Sequence, residues 1–375
     1  GKDRLVSSPN FPSTMGPLAG VPGQFWAYGE RGILTWQAVG LGLADPAPSE
    51  PFSILGAILA SDSLQRIGII GEITPSAVKT TRFLAAAEFD TADRNLAAAA
   101  DSTTLAAAEW LPANGALTYV TANADLRAVI NADFDEINAR PGGEAHAQQI
   151  RETIEAWRSA MGFSIVEELF AVLDLDFGMS WSGPVGGSDW VVVSRLTDAD
   201  RAGLLRSTLA EQMGATPEGE EKPRGTVTTS RHRGTELQTV TADLFAPIGG
   251  KVVSAITASG WLVAGGTEEH VKAALDREAT KEGSLARSTR WNAGLSYLSR
   301  SRHAVWMVDL NAVAPIALGL LDARQPRPYA NPALETLVRS LIANAGKLGT
   351  AFTATTYSSE GIRSEQVIVA EEATR

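Results

Sequence analysis

The sequence predicts an α+β fold: mixed, largely antiparallel sheets with helices packed on one face, arranged as two related units. Three observations carry this expectation. A strand–cap–helix unit recurs, at GALTYVTANADL, WVVVSRLTDAD, WLVAGGTEEH and WMVDLNAVA. The strands between these units fall into hairpins, which antiparallel sheets use and doubly wound sheets do not. The closing hairpin also resembles an early one. Both turns end in Gly-Ile, at Gly32-Ile33 and Gly361-Ile362, the mark of a repeat whose first copy ends near residue 110, incomplete or rearranged.

The pattern is clearest over Asp189 to Gly214. Trp190 to Leu196 is an almost unbroken apolar, β-branched run, expected to be a strand buried on both faces. Thr197 is then expected to cap a helix, with Asp200 as its capping-box partner. Leu204, Leu205, Thr208 and Leu209 fall on one helical stripe, and Gly214 is the expected left-handed stop.

Taken in order, residues 1–24 form an extended Pro/Gly-rich arm or a loop laid over a domain surface. An N-terminal unit spans 25–110. It opens with a hairpin, Phe25 to Tyr28 and Ile33 to Val39. Thr74 and Pro75 have the form of a cap and first helical residue. The Ala-rich stretches 76–88 and 93–109 favour helix, although FLAAAEF also fits an edge strand. The main domain, 111–375, begins at Leu111-Pro112. A strand follows at Gly115 to Val120, then a short helix, Ala124 to Ile130, capped by Asn123. Helices are expected at Gln148 to Met161 and Ser164 to Leu173, and a strand at Phe177 to Ser182. Hairpins follow at Thr226 to Ala242, turning at Arg233-Gly234, and at Val252 to Ala264. Thr267 caps a helix to Ala279, and Ser284 to Leu298 is another. His303 to Leu310, apolar on both faces, is expected to be a central strand. Helices at 312–323 and 332–345 precede the closing hairpin, Thr350 to Tyr357 and Ile362 to Val369.

Composition excludes several classes of function. The 375 residues carry a formal net charge of −11, which repels phosphate backbones and anionic lipid surfaces alike. No apolar run reaches the roughly 18 residues needed to cross a bilayer; Ile54 to Ala60 and Val313 to Leu321 are the most apolar stretches. The chain opens on Gly1, the expected sign of a trimmed N-terminus, from which a signal peptide would already be gone. With zero Cys there is no disulfide, thiolate metal site or Cys nucleophile, a state compatible with an oxidising or a reducing compartment. The preference for Arg over Lys and the abundance of Ala point to a bacterial coding sequence.

The run LAAAEWLPANGALTYV, the strand–helix unit at 189–213, the segment GWLVAGGTEEHVKAAL and the following SLARSTRW together resemble a bacterial domain family of unknown function. Its members are exported or membrane-anchored envelope proteins. The resemblance covers about 111–375 and carries no catalytic residues. It implies an extracytoplasmic location, in the periplasm or at the cell surface, and a non-enzymatic role.

Candidate sites each have a functional and a structural explanation. Gly265-Gly266-Thr267 sits between strand and helix, as a phosphate-binding turn does, but Glu268 and Glu269 already place negative charge there. Asn131, Asp133 and Asp135 alternate like calcium ligands, yet Glu136 and Gly142 stand where that loop needs Gly and Glu. Asp174 and Asp176 carry a weaker form of the same pattern. The histidines His146, His232, His270 and His303 form no zinc-binding pair. His232, between Arg231 and Arg233, marks either an anion-binding tip or a charged β-turn. Arg300 and Arg302 fit a solvated loop. No nucleophile elbow or dinucleotide fingerprint is present. Two pairs from the nine Trp flank turns: Trp26 and Trp36, and Trp181 and Trp190. Such pairs form either a docking surface for a partner or a sugar, or cross-strand packing at a sheet end. The expected function is a non-catalytic extracytoplasmic protein that binds a partner protein or scaffolds an envelope assembly. Trp26, Trp36, Trp181 and Trp190 are its candidate partner-binding residues, with no catalytic residue, metal or cofactor. The alternatives are a periplasmic hydrolase with a site not visible in sequence, or a glycan- or lipid-binding module.

Overall fold

The computed structural model describes residues 15–30, 66–85, 104–122, 143–184, 187–216, 222–323, 332–358 and 360–370. Its strands join into one sheet, and every pairing is antiparallel. In chain order they are β1 (Phe25–Glu30), β2 (Arg66–Ile73), β3 (Ala77–Ala85), β4 (Leu117–Thr121), β5 (Leu173–Trp181), β6 (Trp190–Leu196) and β7 (Gly225–His232), then β8 (Thr235–Ala242), β9 (Lys251–Ile256), β10 (Trp261–Gly265), β11 (Ala304–Asp309), β12 (Thr350–Tyr357) and β13 (Gly361–Val369). The sheet has 13 strands in the order β1-β2-β3-β13-β12-β11-β4-β5-β6-β10-β9-β8-β7.

Six helices longer than one or two turns connect the described strands: α1 (Gly143–Met161), α2 (Ala199–Gly214), α3 (Glu268–Thr280), α4 (Thr289–Ser296), α5 (Leu310–Ala323) and α6 (Pro332–Ala345). They do not keep to one face, which corrects the expectation of a sheet covered on one side only. Strand residues alternate in direction, and two cores use the two directions. Val193, Val253, Val263, Val305, Met307, Phe352 and Val367 form one core with Val271 and Leu275 of α3 and Trp291 of α4. Val240 and Ala242 of β8 form the other, with Ala202, Leu205 and Met213 of α2 and Met161, Phe163 and Val172. Val252 and Ile256 of β9 pack against this second core, while Val253 and Ala255 belong to the first.

Sheet position follows from sequence most closely in the interior. β11 pairs with both β4 and β12, and Val305 and Met307 are fully buried. In β6, Val191 and Val193 are buried while Trp190 and Val192 are half-buried, although Ser194 on their face is buried, so the two faces are covered unequally along the strand. The helix after β6 starts one residue later than expected. Asp198 is the cap, its carboxylate accepting from the Arg201 N–H at 2.9 Å, while the Thr197 hydroxyl donates to the Ala171 carbonyl. α2 runs through Gly214 to Ala215, which is extended. Leu204 is 68% exposed; Ala202, Leu205 and Met213 form the buried stripe instead.

The N-terminal segment departs furthest from expectation. β1 pairs with β2; Ile33 to Val39, its expected hairpin partner, lie outside the described residues. Thr74 starts no helix. Its hydroxyl accepts from the Ala77 N–H and donates to the Ala77 carbonyl, closing the β2–β3 turn. The Ala-rich stretch after it is β3, an interior strand between β2 and β13. Tertiary pairing overrides the helical propensity of Ala here. The residues assigned to a separate N-terminal unit thus flank the same sheet as the C-terminal hairpin. Within the arm, a 3₁₀ turn at Gly16–Leu18 buries Leu18 against Phe83, with Met15, Val21 and Ile70 around them. The expected helix at 124–130 and strand at 33–39 lie outside the described residues.

Candidate functional site

Three places collect the side chains that chemistry or recognition would use. At the first, the end of the β5–β6 hairpin, Trp181 and Trp190 are direct cross-strand partners. Both are half-buried, and the Trp190 indole N–H donates to the Ile248 carbonyl at 3.0 Å. Glycines make the surrounding turns fit. A Cβ on Gly266 would lie 2.1 Å from the Ser188 carbonyl oxygen, and one on Gly183 would lie 2.3 Å from the Asp189 carboxylate. Gly249, with φ at +98°, also abuts Ser188.

A hydroxyl, an imidazole and a carboxylate line up in this turn cluster. The Thr267 hydroxyl lies 3.0 Å from His270 Nδ1, and His270 Nε2 lies 4.0 Å from Asp189 Oδ1. The same hydroxyl oxygen accepts from the His270 N–H at 3.2 Å as the cap of α3. The carboxylate stands beyond hydrogen-bonding reach of the ring. The arrangement is that of a capped helix start. Glu268 beside it accepts from Lys272 at 2.6 Å and from the Ser230 hydroxyl at 3.1 Å. The Lys272 contact comes first in holding the Glu268 carboxyl below its usual range. The turn therefore presents negative charge where a phosphate would sit.

The second place is the β7–β8 tip. Arg233 and Gly234 both have positive φ, 50° and 81°, as a two-residue type I′ hairpin turn requires. His232 Nε2 lies 2.8 Å from Asp276 of α3, and Arg233 Nε donates to the same carboxylate oxygen. His232 first, then Arg233, holds the Asp276 carboxyl below its ordinary value against the opposing effect of burial. The basic tip is already engaged by this carboxylate, so it clasps the edge hairpin to α3.

The third place is the α5–α6 hairpin, inserted between β11 and β12. The two helices pack on each other, and Gly346 lets the chain pass Ala314 closely: a Cβ there would lie 2.9 Å from the Ala314 methyl. Arg339 bridges Asp322 of α5 at 2.7 Å and Glu335 of α6 at 3.0 Å. Four leucines remain outside this packing. Leu320 is 48% exposed, Leu337 55%, Leu341 60% and Leu348 50%. Leu337 and Leu341 stand one above the other at the i,i+4 spacing. The sequence held a signal for this site. α5 is apolar nearly all round, which predicts a buried helix, yet Leu320 stays open to solvent.

Other predicted sites are placed apart. Asp176 is buried and pairs with Arg195 at 3.3 Å. Among the described residues no cluster of His, Asp or Glu could hold a metal ion. Asn131, Asp133, Asp135 and Trp36 lie outside the described residues, and Trp26 lies in β1. His303 is buried, its Nδ1 accepting from the Tyr357 N–H at 3.0 Å. Arg302 donates to the Leu295 carbonyl, and Arg300 is exposed. A depression of about 520 Å³, open to solvent, lies beside α2 and is lined by Asp200, Leu204, Arg206, Ser207 and Ile256 among others. Its Arg206 is committed to Glu236 at 2.7 Å. No described helix is long and apolar enough to cross a membrane. Compared with known proteins, the chain matches no family model, no curated protein and no solved structure.

Proposed function

We propose that this chain is a non-catalytic extracytoplasmic protein that binds a partner protein, or scaffolds an envelope assembly, through the α5–α6 hairpin. The exposed leucines carry the reading. Fully burying one leucine stabilises by about 1.5–3 kcal/mol. Leu320, Leu337, Leu341 and Leu348 together leave much of that unrealised in the chain alone. Apolar area exposed on one helical hairpin, as at Leu320, Leu337 and Leu341, is a usual mark of a protein contact. Contact through Trp181 and Trp190 has less support, because both are half-buried and pack across the hairpin. The envelope location rests on the resemblance over 111–375.

We further infer that the sheet consists of two related halves meeting at the β4–β11 seam. The strand order supports this. Outward on one side run β4, β5, β6, β10, β9, β8 and β7; on the other run β11, β12, β13, β3, β2 and β1. Each half has a helical insertion after its seam strand, α1 after β4 and α5–α6 after β11. Each has two further outward strands, then a three-strand meander returning inward, β8-β9-β10 or β1-β2-β3. The repeat is thus shared between the two ends of the chain.

Native mass spectrometry of the chain purified gently from its own cells tests the function. The expected spectrum shows the chain with a second protein at fixed stoichiometry. A bare monomer, or a small-molecule adduct only, contradicts it.

A further inference from the structure

We propose that the face of β3, β13 and β12 turned away from the first core binds an acidic saccharide, with Arg82 holding its carboxylate or phosphate. This site stands apart from the α5–α6 hairpin and does not rest on the contact proposed there. Side chains along a strand alternate between faces, and direct cross-strand partners share one. Val367 of β13 and Phe352 and Ala354 of β12 point into the first core. The residues between them point the other way, and the strand pairing lays them out in two rows. Arg82 is paired with Ser364, and Ser364 with Thr355. Thr80 is paired with Gln366, and Gln366 with Thr353.

These six residues form a polar island in an apolar frame. Val78, Ile368 and Ala351 make the next row at one end, and Ile362 with Tyr357 the next row at the other. Ile69 of β2, paired with Arg82, and Trp306 of β11, paired with Thr353, close the two sides. All six are half-buried. A sheet face that merely meets water is polar along the length of its strands. Here hydroxyls and one amide are gathered in the middle of apolar surroundings, as in a small-molecule site. Among the described residues of β2, β3, β13, β12 and β11, Arg82 is the only charged side chain on this face.

Arg82 sets the charge of the ligand. Its Nε is shut away from water and has no hydrogen-bond partner, and burial pushes its pKa below the ordinary value. Arg277, also lowered by burial, gives its Nε to the Trp110 carbonyl at 2.8 Å instead. A buried donor left unpaired destabilises the fold. A carboxylate or a phosphate takes guanidinium donors in pairs and supplies the missing charge. The hydroxyls of Thr80, Thr353, Thr355 and Ser364 and the amide of Gln366 both donate and accept, which suits the hydroxyls of a sugar. Trp306, its ring centroid 4.3 Å from that of Tyr119, offers an apolar surface for a sugar ring at the far side. β3 and β11 are three strands apart in the sheet, about 14 Å at the usual strand spacing. A short acidic oligosaccharide covers that span, and a single sugar ring does not.

The test is calorimetric titration of the full chain with trigalacturonate, its neutral methyl ester, glucose phosphate, inorganic phosphate and poly-glutamate, with the Arg82 Nε–H signal followed by NMR. Trigalacturonate or glucose phosphate is expected to bind and to shift that signal, the tighter of the two naming the acid group. The methyl ester is expected not to bind. Arg82→Gln is expected to weaken binding by about tenfold or more. Its unfolding midpoint is expected to stay level or rise, because the substitution removes an unpaired buried charge. Thr353→Val is expected to weaken binding at an unchanged midpoint. Equal binding of the methyl ester overturns the role of Arg82. Inorganic phosphate or poly-glutamate binding as tightly as the saccharides overturns the sugar class. An Arg82→Gln chain with a lowered midpoint and undiminished binding marks a structural arginine and overturns the site, as does the absence of binding by every probe. None of these outcomes bears on the leucines of α5–α6.

Discussion

Glu365 is the carboxylate that ties the two ends of the chain together. It is buried in β13, accepts from Lys79 of β3 at 2.8 Å and accepts from the Ser299 N–H at 2.6 Å. Burial alone would raise its pKa, but the Lys79 and Ser299 contacts outweigh burial and hold it below its usual value. Arg302 also faces it. A carboxyl whose folded pKa is depressed stabilises above the unfolded value and loses that contribution as pH falls through the folded one. Asp276, held down by His232 and Arg233, has the same sign. Stability is therefore expected to decline on the acid side, and Glu365→Gln to flatten that decline. Unfolding midpoints followed from neutral to acid pH measure it, and parallel curves for the variant and the native chain contradict it. Glu365→Ala, which strands the Ser299 N–H and Lys79, is expected to cost on the order of 2–3 kcal/mol. Asp198→Ala is expected to cost about 1 kcal/mol through the lost cap, with Thr197→Ala costing less. A larger cost at Thr197 than at Asp198 in denaturant unfolding would put the cap back at Thr197. Both residues are good caps by type, and only the backbone conformation tells them apart. The sequence therefore located this helix start to within one residue.

Elements separate what was legible from what was not. β6, β11 and the closing hairpin were legible because their apolar, β-branched runs are bounded by turn residues on both sides. Their burial was less so, since alternation of Val191 and Val193 with Trp190 and Val192 depends on what covers each face. Val193→Asp is expected to prevent soluble expression, because that side chain is fully buried and the charge would have no partner. Val192→Asp, half-buried, is expected to be tolerated better. Reversal of this order would overturn the assignment of faces. Gly266→Ala is expected to destabilise, as the added Cβ meets the Ser188 carbonyl backbone, and an unchanged thermal midpoint would contradict that packing. The α5–α6 insertion was legible as two helices from its apolar spacing. Its exposure was not, because an all-round apolar helix normally signals burial.

At the scale of the molecule, the chain closes on itself. β3 pairs with β13 from Ala77↔Val369 to Gly361↔Ala85, joining segments near opposite ends of the sequence. Local patterns carry no information about which distant strands pair, so the N-terminal strands looked like a separate unit and Ala-rich β3 looked helical. The weak likeness between the early and late hairpins was the available clue to this connection. Its first half, Ile33 to Val39, lies outside the described residues. A chain lacking residues 1–85 would leave β13 as a bare edge and Glu365 without Lys79. It is expected to aggregate, and a soluble product with one sharp unfolding transition would argue for two autonomous units.

Leu337 and Leu341, exposed on α6, are the side chains proposed to meet a partner. The most direct test is the native mass spectrum of the Leu337→Asp, Leu341→Asp chain purified gently from its own cells beside the native chain, with unfolding midpoints to confirm that both are folded. Loss of the partner's mass with an unchanged midpoint is the predicted result. A variant that keeps the partner at full stoichiometry contradicts the claim.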